Sequence, residues 1–213
     1  MKIVLAGVPG VGKSTAIQLL QKNLPEVKKV VIGDLIFELG KEYFGKKYPI
    51  NSRDDLRKYL KPDETLQLQK MCAKRIGEMT GDIVIDTHIA IKTPGGYVHG
   101  IPKEMADLMN ISAIVLLEFD PPEILERRNR DKNIKGAVKT EVGTIREFRE
   151  RDVETPEEIE FHQQINRIYA GIASAAAKCS MKVISLRYKE RKDFEHAEKV
   201  AEELFKMFKW EKS

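Results

Sequence analysis

The chain has 213 residues, 42% hydrophobic and 33% charged, enough for a sizeable core in one α/β domain with an excursion or in two small domains. Its net charge of +4 is too weak to imply nucleic acid by itself. No apolar run approaches the roughly 20 residues that span a bilayer, and Cys72 and Cys179, far apart in sequence, read as buried free thiols suited to a reducing cytoplasm.

The first apolar run, KIVLAG (Lys2–Gly7), reads as a buried strand and not as a signal peptide, because glycines and a phosphate motif follow it. A helix is expected from Lys13 to Asn23, a second strand at VVIGD (Val30–Asp34), and an apolar-rich helix through Phe44. Two helical pieces follow, Arg53–Leu60 and Pro62–Met79. The latter places Leu68, Cys72, Ile76 and Met79 on one stripe. DIVID (Asp82–Asp86) and AIVLLEF (Ala113–Phe119) are the third and fourth strands, and Pro121 and Pro122 open a helix. Thr155, with Pro156 at N1 and Glu158 at N3, forms a capping box for a helix that continues to Cys179. MKVISL (Met181–Leu186) is a fifth strand, and the last helix aligns Phe194, Ala197, Ala201, Leu204 and Phe208. Alternation of helices with wholly apolar strands predicts an α/β fold: a five-stranded parallel sheet covered on both faces. The helical excursion from Asn51 to Thr80 and a basic stretch fit that alternation poorly, and such insertions at strand ends are where these folds carry ligands.

Between the first strand and the first helix lies GVPGVGKST (Gly7–Thr15), which contains G-x-x-x-x-G-K-[ST]. Gly7, Gly10 and Gly12 let the backbone turn so that several N–H groups, with those of Val8, Pro9's neighbours and Val11, face one phosphate-sized concavity. The following helix adds its positive end. Lys13 is expected to reach the β- and γ-phosphates of a nucleoside triphosphate, and Ser14, beside Thr15, to ligate Mg²⁺. Asp86, ending a buried strand, is expected to hold Mg²⁺ through water; the competing reading is an ordinary strand-end cap. No Cys/His spacing suggests zinc, so Mg²⁺ is the metal implied.

From Arg127 to Asp152 nine Lys and Arg stand against five acids, the whole formal excess of the chain. A run of this kind is often a solvated face. Here it occurs with GVPGVGKST, GDLIFELG, RDDLRK, DTHIAIKTPGGYVHGIP, EILERRNRD and RERDVETPEEIEFHQQINR, in the order seen in archaeal-type adenylate kinases, which the chain resembles over nearly its whole length. The resemblance implies reversible phosphoryl transfer from ATP to AMP giving two ADP, in a single domain with an AMP-binding region over 33–101 and an Arg-rich lid over 127–152. Gly33 and Asp34 would begin one AMP wall and Arg57 would grip the AMP phosphate, although Asp54 at i−3 could simply pair with Arg57. Thr87, His88, Lys92, Thr93, Gly95, Gly96 and Tyr97 would form the next wall, with His88 equally readable as a structural histidine. In the lid, Arg127, Arg130, Arg149 and Arg151 would face phosphates, Arg128 would point elsewhere, and Arg167 is a weaker candidate.

The family's lid is usually short, and here about fifteen extra residues intervene. A small hairpin or helix is expected there, and Lys132, Lys135, Lys139 and Arg146 read best as solubilising charge. Two other functions compete: a kinase for another nucleoside monophosphate, or an ATPase in RNA or ribosome assembly whose 132–146 segment contacts RNA phosphates. Some relatives form trimers, so the resemblance leaves a homo-oligomer open. The location expected is the cytoplasm.

Overall fold

Lys2–Gly7 folds as β1 with all six residues buried, as its unbroken apolar run demands. In a computed structural model, which describes residues 1–132, 138–139, 145–146 and 154–210, the chain continues through α1 (Lys13–Asn23), β2 (Lys28–Val31), α2 (Ile32–Phe44), α3 (Arg53–Tyr59), α4 (Pro62–Glu78) and β3 (Ile83–Asp86). Next come β4 (Ala90–Thr93), β5 (Gly96–His99), α5 (Lys103–Met109), β6 (Ala113–Phe119) and α6 (Pro121–Lys132). Then follow β7 (Val138–Lys139), β8 (Ile145–Arg146), α7 (Pro156–Ala177), β9 (Ser180–Leu186) and α8 (Glu195–Trp210).

Five strands form the parallel sheet expected, in the order β2-β3-β1-β6-β9. The three inner strands are buried throughout, while β2 and β9, at the edges, are partly exposed. Alternate residues of β1 enter different cores. Ile3 and Leu5 pack with α1 and α8 residues such as Ile17, Leu20, Val200 and Leu204. Val4 and Ala6 pack on the other side with Leu35, Leu68, Cys72 and Met105. Burial pushes the Cys72 thiol up to about 12, and Cys72 and Cys179 are both free. No described helix is long and apolar enough to cross a membrane.

Two element boundaries differ from expectation. The second strand ends at Val31, so Gly33 and Asp34 lie in the first turn of α2 and not at a strand end. The reason is the stripe: Ile32, Leu35 and Leu39 are buried at helical spacing, and the apolar Ile32 belongs to the helix. The segment after β3 also carries more structure than a loop. β4 and β5 pair antiparallel, with Thr93 opposite Gly96, and the seven-residue α5 follows. Such short elements offer too few periods to register in sequence. The capping box at Thr155 forms as expected, with the Glu158 N–H donating to Thr155 Oγ1 and the Thr155 N–H to the Glu158 carboxylate. β7 and β8, in the stretch where a hairpin or helix is expected, pair antiparallel.

Candidate functional site

Strand order switches between β1 and β3: the chain leaves β1 for β2 on one side and β3 for β6 on the other. A crevice opens where such paths diverge. The register sets Leu5 opposite Asp86, so Asp86 lies one residue pair below the phosphate loop. In that loop Gly12 holds φ 77, a conformation glycine tolerates best, and directly precedes α1. No side chain caps α1, and no acid occupies its first turn. Its first N–H groups therefore await an anion from outside the helix.

Lys13 is nearly buried; its ammonium donates to the Gly7 carbonyl at 3.4 Å and stands 3.8 Å from Asp86 Oδ1. Ser14 Oγ donates to Asp86 Oδ2 at 3.2 Å. The Ser14 hydroxyl and Asp86 carboxylate thus share one spot, as expected. Lys29, which the sequence does not single out, adds a second ammonium 3.3 Å from Ser14 Oγ and 3.7 Å from Asp86 Oδ2.

A cleft of about 860 Å³ extends from this loop across the sheet edge. Pro9, Gly10, Gly12, Lys13, Ser14 and Thr15 line it. Gly7, Val8 and Val11 do not; Val8 and Val11 are core residues, packed beside Ile17 and Leu117. Gly33, Asp34 and Arg57 line the same cleft, as do Thr87, His88 and Lys92. His88 Nδ1 lies 3.1 Å from the Gly7 carbonyl and so donates to it, which ties His88 to the phosphate loop. Arg57 is exposed and forms no ion pair among the described residues; it is Arg53, missed in the sequence, that pairs with Asp34.

The extent of the predicted AMP wall needs correction. Thr93, Gly95, Gly96 and Tyr97 lie outside the cleft, in the β4–β5 hairpin. Thr93 Oγ1 donates to the Gly96 carbonyl at 2.8 Å, Pro94 and Gly95 make the turn, and Gly96 follows it at φ 114. The Tyr97 ring packs against Phe161 and His162, and its carbonyl accepts from the Tyr169 hydroxyl. These glycines serve a turn.

Four basic residues of the lid expectation divide. Arg130 is exposed and lines the cleft. Arg127 also lines it, but its guanidinium is held 3.0 Å from Glu190 and 2.7 Å from His196 Nδ1, over the Phe119 ring. Arg149 and Arg151 lie outside the described residues, as do most of 127–152 and of the 132–146 insertion. Arg167 has a structural partner, Glu118, to which its Nε donates at 2.8 Å, and it does not line the cleft.

Arg128, expected to point elsewhere, is a cleft residue and only 3% exposed. With Glu154, 4% exposed, it forms a 2.6 Å ion pair. Burial alone would raise the Glu154 carboxyl; hydrogen bonds and charges from His162 and Arg128 outweigh it and hold the group at about 2. A depressed acid contributes stability above its unfolded pKa, near 4.5, and that stability is lost as pH falls toward 2. Glu154→Gln should therefore flatten the decline of thermal midpoint between pH 4.5 and 3 relative to the parent chain, as followed by circular dichroism. Equal slopes would show that Glu154 does not carry this linkage.

The sheet order, the phosphate loop between β1 and α1, and the acid on the adjacent strand define a P-loop nucleotide-binding fold of the kinase type. The AAA domain family is matched over residues 6–146. Among solved structures, a shikimate kinase from Bacteroides thetaiotaomicron superposes with a TM-score of 0.57 over 98% of each chain at 16% identity, a likeness of fold. An adenylate kinase from Pyrobaculum aerophilum is 41% identical over 203 residues, 95% of this chain and 93% of its own. That of Thermoplasma acidophilum is 37% identical, covering 87% and 89%. The chain belongs to the adenylate kinase family.

Proposed function

We propose that the chain transfers the γ-phosphoryl group of ATP reversibly to AMP, giving two ADP. One observation carries the reading beyond the family resemblance: a single cleft is lined both by the triphosphate loop and by Arg57, which forms no ion pair among the described residues. Two phosphate-binding groups lining one space suit a donor and an acceptor held for direct transfer. The AMP phosphate is already an anionic nucleophile, so no side-chain base is needed. The protein supplies alignment and positive charge.

Roles follow from position. Pro9, Gly10, Gly12, Ser14, Thr15 and the Lys13 ammonium, which line the cleft, hold the triphosphate, with Arg127 and Arg130 adding charge beside it. Gly33, Asp34, Arg57, Thr87, His88 and Lys92 hold AMP. We keep 33–101 as the AMP-binding region and 127–152 as the lid of one domain, with Arg149 and Arg151 assigned to phosphate. The free thiols Cys72 and Cys179 accord with a cytoplasmic enzyme.

Mg²⁺ enters as part of the nucleotide substrate. The donors at Ser14 and Asp86 fit it: a hydroxyl and a carboxylate 3.2 Å apart, both hard oxygen ligands, with room in the cleft for the waters this ion retains. Bound, Mg²⁺ neutralises charge on the β- and γ-phosphate oxygens. Ser14 would ligate it and Asp86 would hold its water, with the Lys13 and Lys29 ammonium groups 3.8 and 3.7 Å from the carboxylate.

The test is an ADP-formation assay with Mg·ATP and AMP, CMP, UMP or no acceptor. ADP formation dependent on AMP is expected. ADP formation with CMP or UMP and none with AMP would refute the acceptor assignment.

A further inference from the structure

Arg128 makes three arrangements at once. Its Nε donates to the Pro9 carbonyl of the phosphate loop at 2.8 Å, its Nη1 donates to Glu154 at 2.6 Å, and its Nη2 is buried with no hydrogen-bond partner among the described residues. A buried, unsatisfied donor is costly. If this side chain served stability alone, a lysine would satisfy Glu154 as a point charge without stranding a nitrogen. Only a planar fork can address two acceptors in fixed directions.

The second acceptor explains the choice. A trans peptide is planar, and its carbonyl and the next N–H point in opposite directions. Arg128 draws the Pro9 carbonyl toward itself and so directs the Gly10 N–H away from itself. Gly10 lines the cleft and, at φ 96, sits in a loop that glycine leaves free to rotate. Something must therefore fix its peptide. Neither neighbour can do so, because Pro9 has no N–H and Gly10 has no side chain.

Glu154 anchors the arginine. Its Oε1 lies 3.3 Å from Lys92 Nζ and 3.5 Å from His162 Nδ1, and His162 Nε2 lies 3.1 Å from the Ala90 carbonyl. The carboxylate is thereby held between β4 and α7, both packed elements, and hands that rigidity to Arg128. From this geometry we infer that Arg128, clasped by Glu154, is a positioning residue that sets the phosphate loop for the triphosphate. It acts through the Pro9–Gly10 peptide. The inference rests on the phosphotransfer reading given above.

Arg128→Lys separates positioning from folding, since it keeps the charge opposite Glu154. In a folded Arg128→Lys protein, kcat/KM for ATP should fall about 10²-fold, the loss typical of a small misplacement at a transfer site. The Kd for a non-hydrolysable ATP analogue should rise, and KM for AMP should stay within twofold. Unchanged ATP constants would overturn the inference, and so would an AMP KM that rises as much as that for ATP. If Arg128→Lys does not fold, Glu154→Gln is read by the ATP constants alone, because it slackens the arginine without removing it but also releases Lys92, which is assigned to AMP. Glu118→Gln, another buried carboxylate paired with arginine but away from the cleft, controls for general destabilisation. It should leave the ATP constants of the folded protein in place; if Glu118→Gln lowers them as Glu154→Gln does, the clasp has no specific role. A parent chain that makes no ADP would refute the phosphotransfer reading instead, while analogue binding would still report on Arg128.

Discussion

Lys13→Ala should lower kcat for ADP formation by about 10³-fold, the upper range for removing one preorganised charge from a transfer site. Lys13 is nearly buried at the base of the cleft, against the Gly7 carbonyl and Asp86. Its ammonium stands where charge accumulates as a phosphoryl group moves between oxygens. Phosphoryl transfer asks little covalent chemistry of a protein, so losing a fixed positive charge strikes the catalytic term itself. The fold should survive, because Asp86 keeps Lys29 3.7 Å away and the Ser14 hydroxyl within hydrogen-bond distance. A thermal midpoint near that of the parent, with AMP binding intact, should accompany the lost rate. Retention of more than a tenth of the parent kcat would remove Lys13 from its assigned role.

Arg57→Ala should fail differently, raising KM for AMP about 10- to 100-fold with KM for ATP nearly unchanged. That range corresponds to a hydrogen bond with a charged partner, roughly 1.5–3 kcal/mol. Arg57 stands on α3, which a Ser52–Asp55 capping box and the buried Leu56 hold in place. Its own side chain is exposed, lines the cleft and forms no ion pair among the described residues, so truncation should cost the fold within about 0.5 kcal/mol. Arg53, one turn away, already engages Asp34 and is not positioned to replace it without giving up that pair. Initial-rate kinetics with each substrate varied in turn would show the split. Normal AMP affinity in the variant would sink the assignment of this wall.

The sheet was legible because its inner strands are apolar at all but Lys2, Asp86 and Glu118, and the phosphate loop because its glycines, Lys13 and Ser14 have fixed spacing. Both are local properties of the chain. The AMP wall was legible only through family resemblance, since RDDLRK and DTH have no spacing rule of their own. Even then TPGGY was read as ligand-facing backbone, whereas Pro94 and Gly95 make a hairpin turn and Tyr97 packs on α7. Pro94 followed by two glycines is the chemistry of a turn, and a turn is what forms.

Lys29, Arg53, Arg128 and Glu154 were missed for another reason. Each gains its meaning from a partner far away in the chain: Lys29 from Ser14 and Asp86, Arg128 from Pro9 and Glu154. Arg128 and Arg127 are adjacent in sequence, and a helix turns adjacent side chains roughly 100° apart. One therefore reaches the phosphate loop and the other Glu190 and His196. A signal did exist in Glu154, which directly precedes the capping residue Thr155 and so enters α7 at a fixed angle.

The central claim is direct, reversible transfer between two nucleotides, and phosphorus NMR starting from ADP alone with Mg²⁺ tests it without supplying either product. The account predicts that ATP and AMP appear in equal amounts and approach a steady equilibrium, with no inorganic phosphate. Release of inorganic phosphate, with ADP left unconverted to ATP, would contradict it.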